Sequence, residues 1–401
     1  MMTSVRPRVV VLAFACESAV GSEEGVGWAW TMAAGEIADV TLITSAEGAA
    51  AMRSAAAGGH VEVVEVDVPA RFRRLFPHKL IFVRYLVWQV LAGRAVRRSE
   101  RDGNVAVVHH LTWGSDSLPS ALLASRAPVR VWGPVGGSTT TARGLYRYLS
   151  PRGRIDQVVR DLVNGLLRKA FGERVARHAT LVAALNQDVA NRFRGIGTPV
   201  VIEPHVALDS DELEAAGETS SLGAAGWNGS TALFVGRLIP WKGLLLAVQA
   251  LVDAPAWRLV VVGEGPEQAR AEDLALQVGV TGRVEFVGRV PRREVLASFR
   301  TVDALLFPSF HDSAPWSVGE ATAAGCPVVC LDAGGPCLVA GPNGHTVTIG
   351  DGVGLPQRLA KRLNGLDGRG QPDTRWGSER LPDLLRAWYQ IPGDPERGQA
   401  R

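Results

Sequence analysis

The feature that most constrains the fold of this chain is an alternation of short, valine-rich apolar runs with longer amphipathic segments. Runs that are apolar at consecutive positions are typical of parallel strands buried on both faces. Strands that alternate with helices indicate right-handed crossovers and doubly wound α/β sheets. The predicted strands are Val9–Ala15, Val40–Thr44, Val61–Val66, Val105–His109, Val129–Trp132, Leu181–Leu185, Val200–Glu203, Ala232–Val235, Arg258–Val262, Val284–Phe286, Ala304–Phe307, Val328–Leu331 and Thr346–Ile349.

A break in this alternation predicts the domain boundary. The chain has 401 residues, enough for two domains of ordinary size, and the polar, glycine- and serine-rich stretch 209–228 is typical of a linker. We predict one domain over residues 1–205 and a second over 206–374, each with its own sheet. Residues 375–390 are predicted to form an amphipathic helix, and residues 391–401 a disordered tail.

The composition excludes several classes of protein. Hydrophobic residues make up 46% of the chain and charged residues 21%, which is the balance of a globular protein rather than a disordered one. The formal net charge of +3 is too close to balance to indicate a nucleic-acid partner. No apolar stretch approaches the roughly 18 residues of a membrane span. Four cysteines are too few for a disulfide framework, so we expect a reducing, cytoplasmic location.

Residues 71–98 combine arginines with aromatic and aliphatic side chains, and a helix is predicted there from about His78. The favoured interpretation packs the apolar side chains on the first sheet and leaves the arginines in water. The alternative is a peripheral contact with an anionic membrane surface, at its inner face. The apolar side chains concerned are Leu80, Tyr85, Leu86, Trp88 and Leu91.

A cationic cluster follows the first predicted strand of the second domain. That strand runs into a Gly236–Arg237 turn, and Lys242 and Gly243 stand at the start of the next predicted helix. A helix N-terminus offers unpaired N–H groups and positive partial charge to an anion. The guanidinium adds a planar fork of donors and the ammonium a compact charge, so together they could neutralise a diphosphate without a metal ion.

Two carboxylates follow a later strand at positions that suit sugar hydroxyls. Asp312 stands in the loop after the predicted strand Ala304–Phe307, and Glu320 lies about one turn into the next helix. Ligands of open α/β sheets bind at the carboxyl ends of strands, and carboxylates accept hydrogen bonds from vicinal hydroxyls. The plainer interpretation is that Asp312 caps the helix and that Glu320 lies on a solvated helix face.

Taken together, these residues resemble the donor-binding half of the retaining GT-B glycosyltransferases of family 4. The first half of the chain is similar to the same family in its glycine-rich stretch 21–27 and its Gly136–Gly137 turn. The resemblance implies two Rossmann-like domains facing each other across a cleft, with residues 375–390 crossing back to complete the first. The motifs that carry it are Gly236-Arg237, Lys242-Gly243, Gly263-x-Gly265-Pro266, Val287-Gly288, Pro308-Ser309, Asp312-x7-Glu320, Ala324-Gly325-x-Pro327, Gly334-Gly335, His109-His110 and Pro119-Ser120.

The resemblance also implies roles for individual residues of this sequence. Arg237 and Lys242 would hold the diphosphate of a nucleotide sugar, and Glu320 the ribose hydroxyls. His109 or His110 would lie near the anomeric carbon, and strand alternation leaves open which of the two. Further implied contacts are Gly25, Gly27, Gly236, Gly265 and Val287 to the donor nucleotide, Asp312, Ser313, Ala314 and Trp316 to the donor sugar, and Gly136, Gly137 and Ser138 on the acceptor side.

The activity that the resemblance implies is transfer of a hexosyl-type sugar from a nucleoside diphosphate sugar to a hydroxyl of a polar acceptor, with retention at the anomeric carbon. The acceptor could be a natural product, an envelope polysaccharide or a glycolipid. Preorganised cations would stabilise the charge that grows on the departing diphosphate. The donor is a co-substrate, and neither a cofactor nor a metal ion is expected.

Two departures from the family pattern keep other functions open. Asp312 stands where the family usually has glutamate, and no acidic residue follows the Gly136–Gly137 turn. One alternative is an inert nucleotide-sugar-binding partner or sensor. The other is a GT-B sugar-nucleotide epimerase or hydrolase. These motifs leave the base, the sugar, the acceptor and the oligomeric state open.

Overall fold

The computed structural model describes residues 6–18, 23–56, 59–69, 80–137, 139–217, 220, 222 and 228–391. The chain divides into two compact units. The first comprises residues 1–138, 163–207 and 378–401, and the second comprises residues 139–162 and 208–377. Of the predicted disordered tail, all but the first residue lies outside the described residues.

The assignment of residues 139–162 differs from the prediction, which placed them in the first domain. The physical reason is packing: Leu145 and Leu149 are buried in the apolar core of the second unit. The Tyr148 hydroxyl also donates a hydrogen bond to the carbonyl oxygen of Gly352 at 2.7 Å. Nothing in the local sequence signals these contacts, because their partners lie about 200 residues further along the chain.

The first unit is built on a parallel sheet with strand order β3-β2-β1-β4-β5-β6-β7, where the numbers follow the chain. Its central strand is buried along its whole length, and the strands on either side are buried except at one arginine each, as consecutive valines predict. The strands are β1 (Arg8–Leu12), β2 (Asp39–Thr44), β3 (Val61–Glu65), β4 (Val107–His110), β5 (Val129–Val135), β6 (Leu181–Ala184) and β7 (Val200–Ile202).

Helices cover this sheet, and side chains close some of their free ends. The Ser45 hydroxyl accepts a hydrogen bond from the Gly48 amide at the start of α2, and Asn186 does the same for Val189 at the start of α6. The helices are α1 (Glu23–Ile37), α2 (Ala46–Ala55), α3 (Ile81–Asp102), α4 (Pro151–Leu167), α5 (Glu173–His178) and α6 (Gln187–Phe193). Helix α4 is shared: its residues 151–162 fall in the second unit and 163–167 in the first.

The second unit is built on a parallel sheet of order β10-β9-β8-β11-β12-β13. Its strands are β8 (Ser230–Val235), β9 (Trp257–Val262), β10 (Val284–Gly288), β11 (Ala304–Phe307), β12 (Val328–Leu331) and β13 (Gly344–Val347). Its helices are α7 (Ser210–Ala215), α8 (Leu244–Ala250), α9 (Gln268–Gln277), α10 (Arg292–Thr301), α11 (Trp316–Ala323), α12 (Pro336–Ala340) and α13 (Leu355–Asn364).

Each sheet changes its winding direction next to its first strand, between β1 and β4 and between β8 and β11. Crevices at the carboxyl ends of strands that flank such a point are where open α/β sheets bind ligands. The predicted fold class, two doubly wound parallel-sheet α/β domains, is confirmed. Every predicted strand is present, with ends shifted by a few residues.

The last described helix, α14 (Leu381–Tyr389), belongs to the first unit and packs on α1. The indole rings of Trp30 and Trp388 lie 5.5 Å apart. Just before the helix, Arg380 forms an ion pair with Glu203 at 2.7 Å. Helix α14 therefore adds its apolar face to the core of the first unit.

The structure divides the predicted apolar face of residues 71–98 into two sets. Helix α3 begins at Ile81, and residues 70–79 lie outside the described part of the chain. Tyr85 and Trp88 are buried, as the favoured interpretation predicts, whereas Leu80 and Leu86 are exposed. Arg84 is not solvated but buried against Asp67 and Glu47. Among the described helices, none is both long and apolar enough to cross a bilayer.

We expect an acid-sensitive stability from the histidines of β4. Burial lowers the pKa of His109 to about 4 and that of His110 to about 3. The unfolded chain binds these protons near pH 6.5, so below that pH it holds more protons than the folded protein and stability falls as pH falls. His109→Gln should reduce the slope of unfolding free energy against pH, between 6.5 and 4, by up to about 1.4 kcal/mol per pH unit.

Urea denaturation across this pH range measures the slope. The control is Gln277→Asn, because that side chain is exposed and carries no titratable group, so the slope should stay unchanged. An unchanged slope in His109→Gln would contradict a neutral, buried imidazole.

Candidate active site

Two glycine turns interlock at the carboxyl ends of β8 and β9. A Cβ on Gly263 would lie 2.0 Å from the carbonyl oxygen of Gly236, and one on Gly265 would lie 2.4 Å from that of Leu238. Backbone hydrogen bonds join the same segments, from Leu238 to Glu264 at 2.9 Å and from Gly236 to Val262 at 3.0 Å. The predicted Gly-x-Gly motif is therefore required by close backbone contact, which holds the Gly236–Arg237 turn in place.

The segment that carries Lys242 is fixed by a second close contact. Gly243 has φ +76°, and a Cβ there would lie 2.2 Å from the carbonyl oxygen of Pro308. The amide of Phe310 donates to Trp241 O at 2.8 Å across the same gap. Helix α8, which starts at the next residue, has only seven residues. The predicted anion site therefore depends on the cationic side chains rather than on a helix N-terminus.

Lys242 and Asp312 meet at the carboxyl ends of β8 and β11. The Lys242 Nζ lies 2.6 Å from Asp312 Oδ2, and the two side chains are 15% and 21% exposed. The lysine chain passes over the Gly236 turn, because a Cβ on that glycine would lie 3.9 Å from its Cε. Arg237, the next residue of the turn, is exposed.

The charge state of Asp312 follows from its neighbours. Burial pushes its pKa upward, but the Lys242 ammonium and hydrogen bonds from Lys242 and Ser309 outweigh burial and hold the pKa below its ordinary value. Asp312 is therefore a carboxylate at neutral pH, which accepts hydrogen bonds. It does not cap α11: the N-cap is Pro315, without a side-chain hydrogen bond, so the plainer interpretation of Asp312 is wrong.

A third pair of glycines supports the loop after Asp312. Gly335 donates its amide to the carbonyl oxygen of Asp312 at 2.9 Å. A Cβ on Gly334 would lie 2.2 Å from the same oxygen, and one on Gly335 would lie 1.6 Å from Ser313 O. The Gly334-Gly335 motif thus lets one backbone lie against another beneath the predicted sugar contacts Asp312, Ser313 and Ala314.

Glu320 is buried in α11, so the alternative of a solvated face is wrong. It accepts a hydrogen bond from Arg292 at 2.5 Å, and the same guanidinium binds Glu212 of α7 at 2.7 Å. Burial raises the pKa of Glu320, and Arg292 counteracts part of that rise. The predicted residue Trp316 lies beside this pair, its ring 5.9 Å from the Arg292 guanidinium. Sequence analysis did not find Arg292, which no spacing connects to Glu320.

A second group that sequence analysis missed surrounds His311. Its ring stacks on Trp241 at 5.3 Å, and Arg160 of α4 donates to its Nε2 at 3.0 Å. Burial and the Arg160 guanidinium lower the pKa of His311 to about 4. A neutral imidazole therefore lies next to the Asp312 carboxylate. The adjacency of His311 and Asp312 was visible in the sequence, but Arg160 stands 151 residues away.

The predicted nucleotide contacts lie along the same edge of the second sheet. Val287 and Gly288 end β10, and the Gly288 carbonyl oxygen accepts a hydrogen bond from the Gly263 amide at 2.8 Å. The Gly265 turn therefore stands next to the end of β10, as the shared edge of parallel strands requires.

In the first unit, the predicted role of the histidines does not fit their surroundings. His109 Nδ1 lies 2.7 Å from the Tyr389 hydroxyl and its Nε2 lies 2.6 Å from the carbonyl oxygen of Gly133. His110 Nδ1 lies 2.7 Å from the Ser120 hydroxyl. Both rings are buried in the interior of the unit. We therefore do not retain either histidine among the catalytic groups.

Gly25 and Gly27, the glycines predicted to contact the donor nucleotide, lie inside helix α1, which begins at Glu23. A Cβ on Gly27 would lie 2.0 Å from the carbonyl oxygen of Ala15, so close packing on the segment that follows β1 explains this glycine. Residues 19–22 lie outside the described part of the chain.

Glu23 is a half-buried acidic residue that sequence analysis missed. Its Oε2 accepts a hydrogen bond from the Trp113 amide at 2.9 Å, and Trp113 has φ +56°. A positive φ at a bulky residue is costly, so the hydrogen bond helps to hold this loop.

The predicted acceptor-side turn lies beside an acidic residue, Asp116, that is distant from it in the sequence. Gly137 has φ +102°, and a Cβ there would lie 2.8 Å from Asp116 Oδ1. Asp116 is buried and forms an ion pair with Arg168 at 2.7 Å. Burial raises the pKa of Asp116 to about 6. An acidic group missing after Gly137 along the chain is thus present beside it in space. Ser138 lies outside the described residues.

Comparison with known proteins bears on these sites. The family "Glycosyl transferases group 1" matches residues 227–366, which include the Lys242–Asp312 pair and Glu320. The chain is similar to a 2-deoxystreptamine glucosyltransferase of Streptomyces kanamyceticus, 33% identical over 66% of this chain and 70% of that protein. It is also similar to a D-inositol 3-phosphate glycosyltransferase of Corynebacterium glutamicum, 37% identical over 30% of this chain and 31% of that protein.

Among solved structures, the sucrose-phosphate synthase of Thermosynechococcus elongatus matches with a TM-score of 0.56. The match covers 96% of this chain and 98% of that one at 14% identity, so it shows the fold alone. The fold is GT-B. The chain belongs to the glycosyltransferase group 1 family, and it is a glycosyltransferase.

The packing of Gly243 against Pro308 gives a stability prediction. Gly243→Ala adds a Cβ 2.2 Å from a carbonyl oxygen at a positive φ, so we expect a loss of at least about 3 kcal/mol of unfolding free energy. Chemical denaturation measures the loss. The control is Gly282→Ala, where a Cβ meets nothing within 4 Å and the cost should stay below about 1 kcal/mol. Equal stability of the two variants would mean that the contact is not as close as the structure has it.

Proposed function

We propose that this glycosyltransferase takes its sugar from a nucleoside diphosphate sugar bound at the carboxyl edge of β8 and β11. The observation that carries the proposal is the Lys242–Asp312 ion pair, partly exposed and next to the Gly236–Arg237 turn. A lysine that already holds a carboxylate can exchange it for a phosphate, which then leaves the carboxylate to accept sugar hydroxyls.

Each side chain of the edge has a role in this proposal. Arg237 and Lys242 neutralise the diphosphate. Asp312 and the backbone of residues 313–316 hold the sugar ring. Glu320 accepts hydrogen bonds from the ribose hydroxyls, and the Arg292 guanidinium offsets part of the rise that burial causes in the pKa of Glu320. Because two side-chain cations suffice for the diphosphate charge, we propose that the donor site needs no metal ion.

The chemical step is transfer with retention at the anomeric carbon. The bond from that carbon to the diphosphate oxygen breaks, and a bond to an acceptor hydroxyl oxygen forms on the same face of the sugar. The departing phosphate oxygen takes the hydroxyl proton. Negative charge grows on the diphosphate as the bond breaks, and cations fixed beforehand stabilise it most at that moment.

For the acceptor we propose a polar molecule with several hydroxyl groups. The relative of Streptomyces kanamyceticus is named for glucosyl transfer and for 2-deoxystreptamine, and it matches this chain over 273 residues. In the first unit, the Gly136–Gly137 turn and the neighbouring Asp116 stand at the carboxyl edge of the sheet, where an acceptor hydroxyl would bind. A cytoplasmic location and a peripheral membrane contact through residues 71–98 remain predictions.

Loss of the lysine tests the donor site. Lys242→Ala should abolish most of the thermal stabilisation by the preferred nucleoside diphosphate and lower kcat by roughly 10²–10³, about 3–4 kcal/mol. A thermal-shift screen of nucleoside diphosphates and their sugars identifies the ligand, and product formation is then followed by mass spectrometry. The control is Lys361→Ala, an exposed lysine of α13, which should behave as the unmodified protein. Stabilisation of Lys242→Ala equal to that of the control would refute the donor site.

Removing the partner carboxylate should act in the opposite direction on binding. In Asp312→Asn the lysine no longer has an anionic competitor, so the nucleoside diphosphate alone should bind as tightly or more tightly. Transfer should fall by roughly tenfold or more, because the sugar loses its charged acceptor. Calorimetric titration and kcat measurements separate the two effects, with the exposed Asp273→Asn as control. Weaker diphosphate binding in Asp312→Asn would contradict the exchange of partners.

A further inference from the structure

Helix α4 presents its apolar face to solvent. Six aliphatic side chains at spacings of three and four residues lie along one side of the helix and are between 43% and 65% exposed. Residues at this spacing share one face of an α-helix. We call this set the α4 stripe, and its members are Ile155, Val158, Val159, Leu162, Val163 and Leu166.

The opposite, polar face of the same helix is turned toward the protein. Gln157 is buried and accepts a hydrogen bond from the Thr141 hydroxyl at 3.3 Å. Arg160 donates to His311 and to the carbonyl oxygen of Thr139. The residue that directly follows the helix, Arg168, binds Asp116. A surface helix usually buries its apolar side, so α4 is inverted with respect to that rule.

This inversion needs a physical compensation. Apolar surface in water is unfavourable in proportion to its area, and monomeric proteins rarely keep a contiguous apolar patch without a function for it. The polar anchors Gln157 and Arg160 fix the rotation of the helix, so the stripe cannot turn inward without breaking them. An apolar environment outside the protein must therefore cover the stripe.

We propose that the α4 stripe docks on an anionic membrane surface. Arg152 stands one turn before Ile155, and Lys169 stands one turn after Leu166, so a cation bounds the stripe at each end. Both cations are exposed. Aliphatic side chains that enter the acyl region, with flanking cations at the level of the lipid phosphates, are typical of helices that lie in a membrane interface.

The acidic side chains of α4 are compatible with this orientation. Asp161 is turned toward the protein and pairs with Arg160 at 3.2 Å. Asp156 is exposed and lies at the border of the stripe rather than within it. Arg152 in the helix and Lys169, two residues after its end, thus place an exposed positive charge beyond each end of the stripe.

Self-association of two copies through the stripe is less favourable. An antiparallel pairing about a two-fold axis sets Ile155 opposite Leu166, and Val159 opposite Leu162. The same register sets Arg152 of one copy opposite Lys169 of the other, at both ends of the pair. A parallel pairing sets each cation opposite the same cation of the other molecule. Like charges oppose in both arrangements, whereas anionic lipid attracts both cations.

Vesicle co-sedimentation tests the proposal with the full-length protein. We expect binding to phosphatidylcholine vesicles that contain phosphatidylglycerol, weaker binding to phosphatidylcholine alone, and a decrease with added salt. Leu162→Asp and Ile155→Asp should each reduce the partition constant at least about tenfold, because an aliphatic contact is lost and a negative charge is added. Arg152→Glu together with Lys169→Glu should reduce binding to the anionic vesicles only.

Three controls keep the outcomes distinct. Leu276→Asp changes an exposed leucine of α9 and should leave vesicle binding unchanged. Phe82→Asp and Val90→Asp change exposed residues of α3, so loss of binding in these alone would assign the contact to residues 71–98 and overturn the proposal for α4. Circular dichroism and thermal unfolding establish that each variant is folded, as the exposure of the substituted side chains predicts.

Two further results would also overturn the proposal. One is no binding of the unmodified protein to anionic vesicles at low salt. The other is a concentration-dependent dimer in analytical ultracentrifugation that Leu162→Asp dissolves, without any vesicle binding. The proposal does not rest on the donor site, because vesicle binding requires no nucleotide, and Lys242→Ala should bind vesicles as the unmodified protein does.

Discussion

The ion pair between Lys242 and Asp312 is the interaction on which the candidate active site depends. It joins the loop after β8 to the loop after β11, on either side of the point where the second sheet changes its winding direction. Removing one partner from such a half-buried pair leaves the charge of the other without compensation. The pair therefore holds both loops in position. In the proposed donor site a phosphate would replace the carboxylate on the lysine, so the contact that fixes the two loops would also place the lysine to bind an anion.

Close backbone contacts keep this pair in position. Gly243 lies on Pro308, Gly263 on Gly236, and Gly335 on Ser313, each at a distance where a Cβ does not fit. These contacts consist of main-chain atoms, which move less than side chains. Donors and acceptors held in this way need little reorganisation when charge develops, and that is the condition for electrostatic catalysis. The glycines therefore serve the chemistry indirectly, by letting charged side chains stand on a rigid support.

Helix α4 departs from the packing rule that most other described helices follow. In helices such as α13 and α14 the apolar faces are buried, and the polar faces are exposed to solvent. In α4 the buried face carries Gln157 and Arg160, and the second of these contacts His311 beside Asp312. A local departure from amphipathic packing is often the mark of a functional surface. The helix that bears the exposed stripe thus also contributes a side chain to the surroundings of the candidate active site.

The sequence by itself determined the strands, the two sheets and the identity of the cationic and acidic residues, because consecutive valines and strand–turn–helix motifs are local signals. It also placed Asp312 in the loop after a strand and Lys242 at the start of the helix after another, but the ion pair between them was found only in the structure. Only the tertiary structure decided that Arg292 binds Glu320, that Asp116 stands beside Gly137, and that both histidines of β4 are enclosed. Each of these depends on contacts between residues far apart in the chain, and burial and hydrogen bonding set the properties of an ionisable group more strongly than its position in a motif.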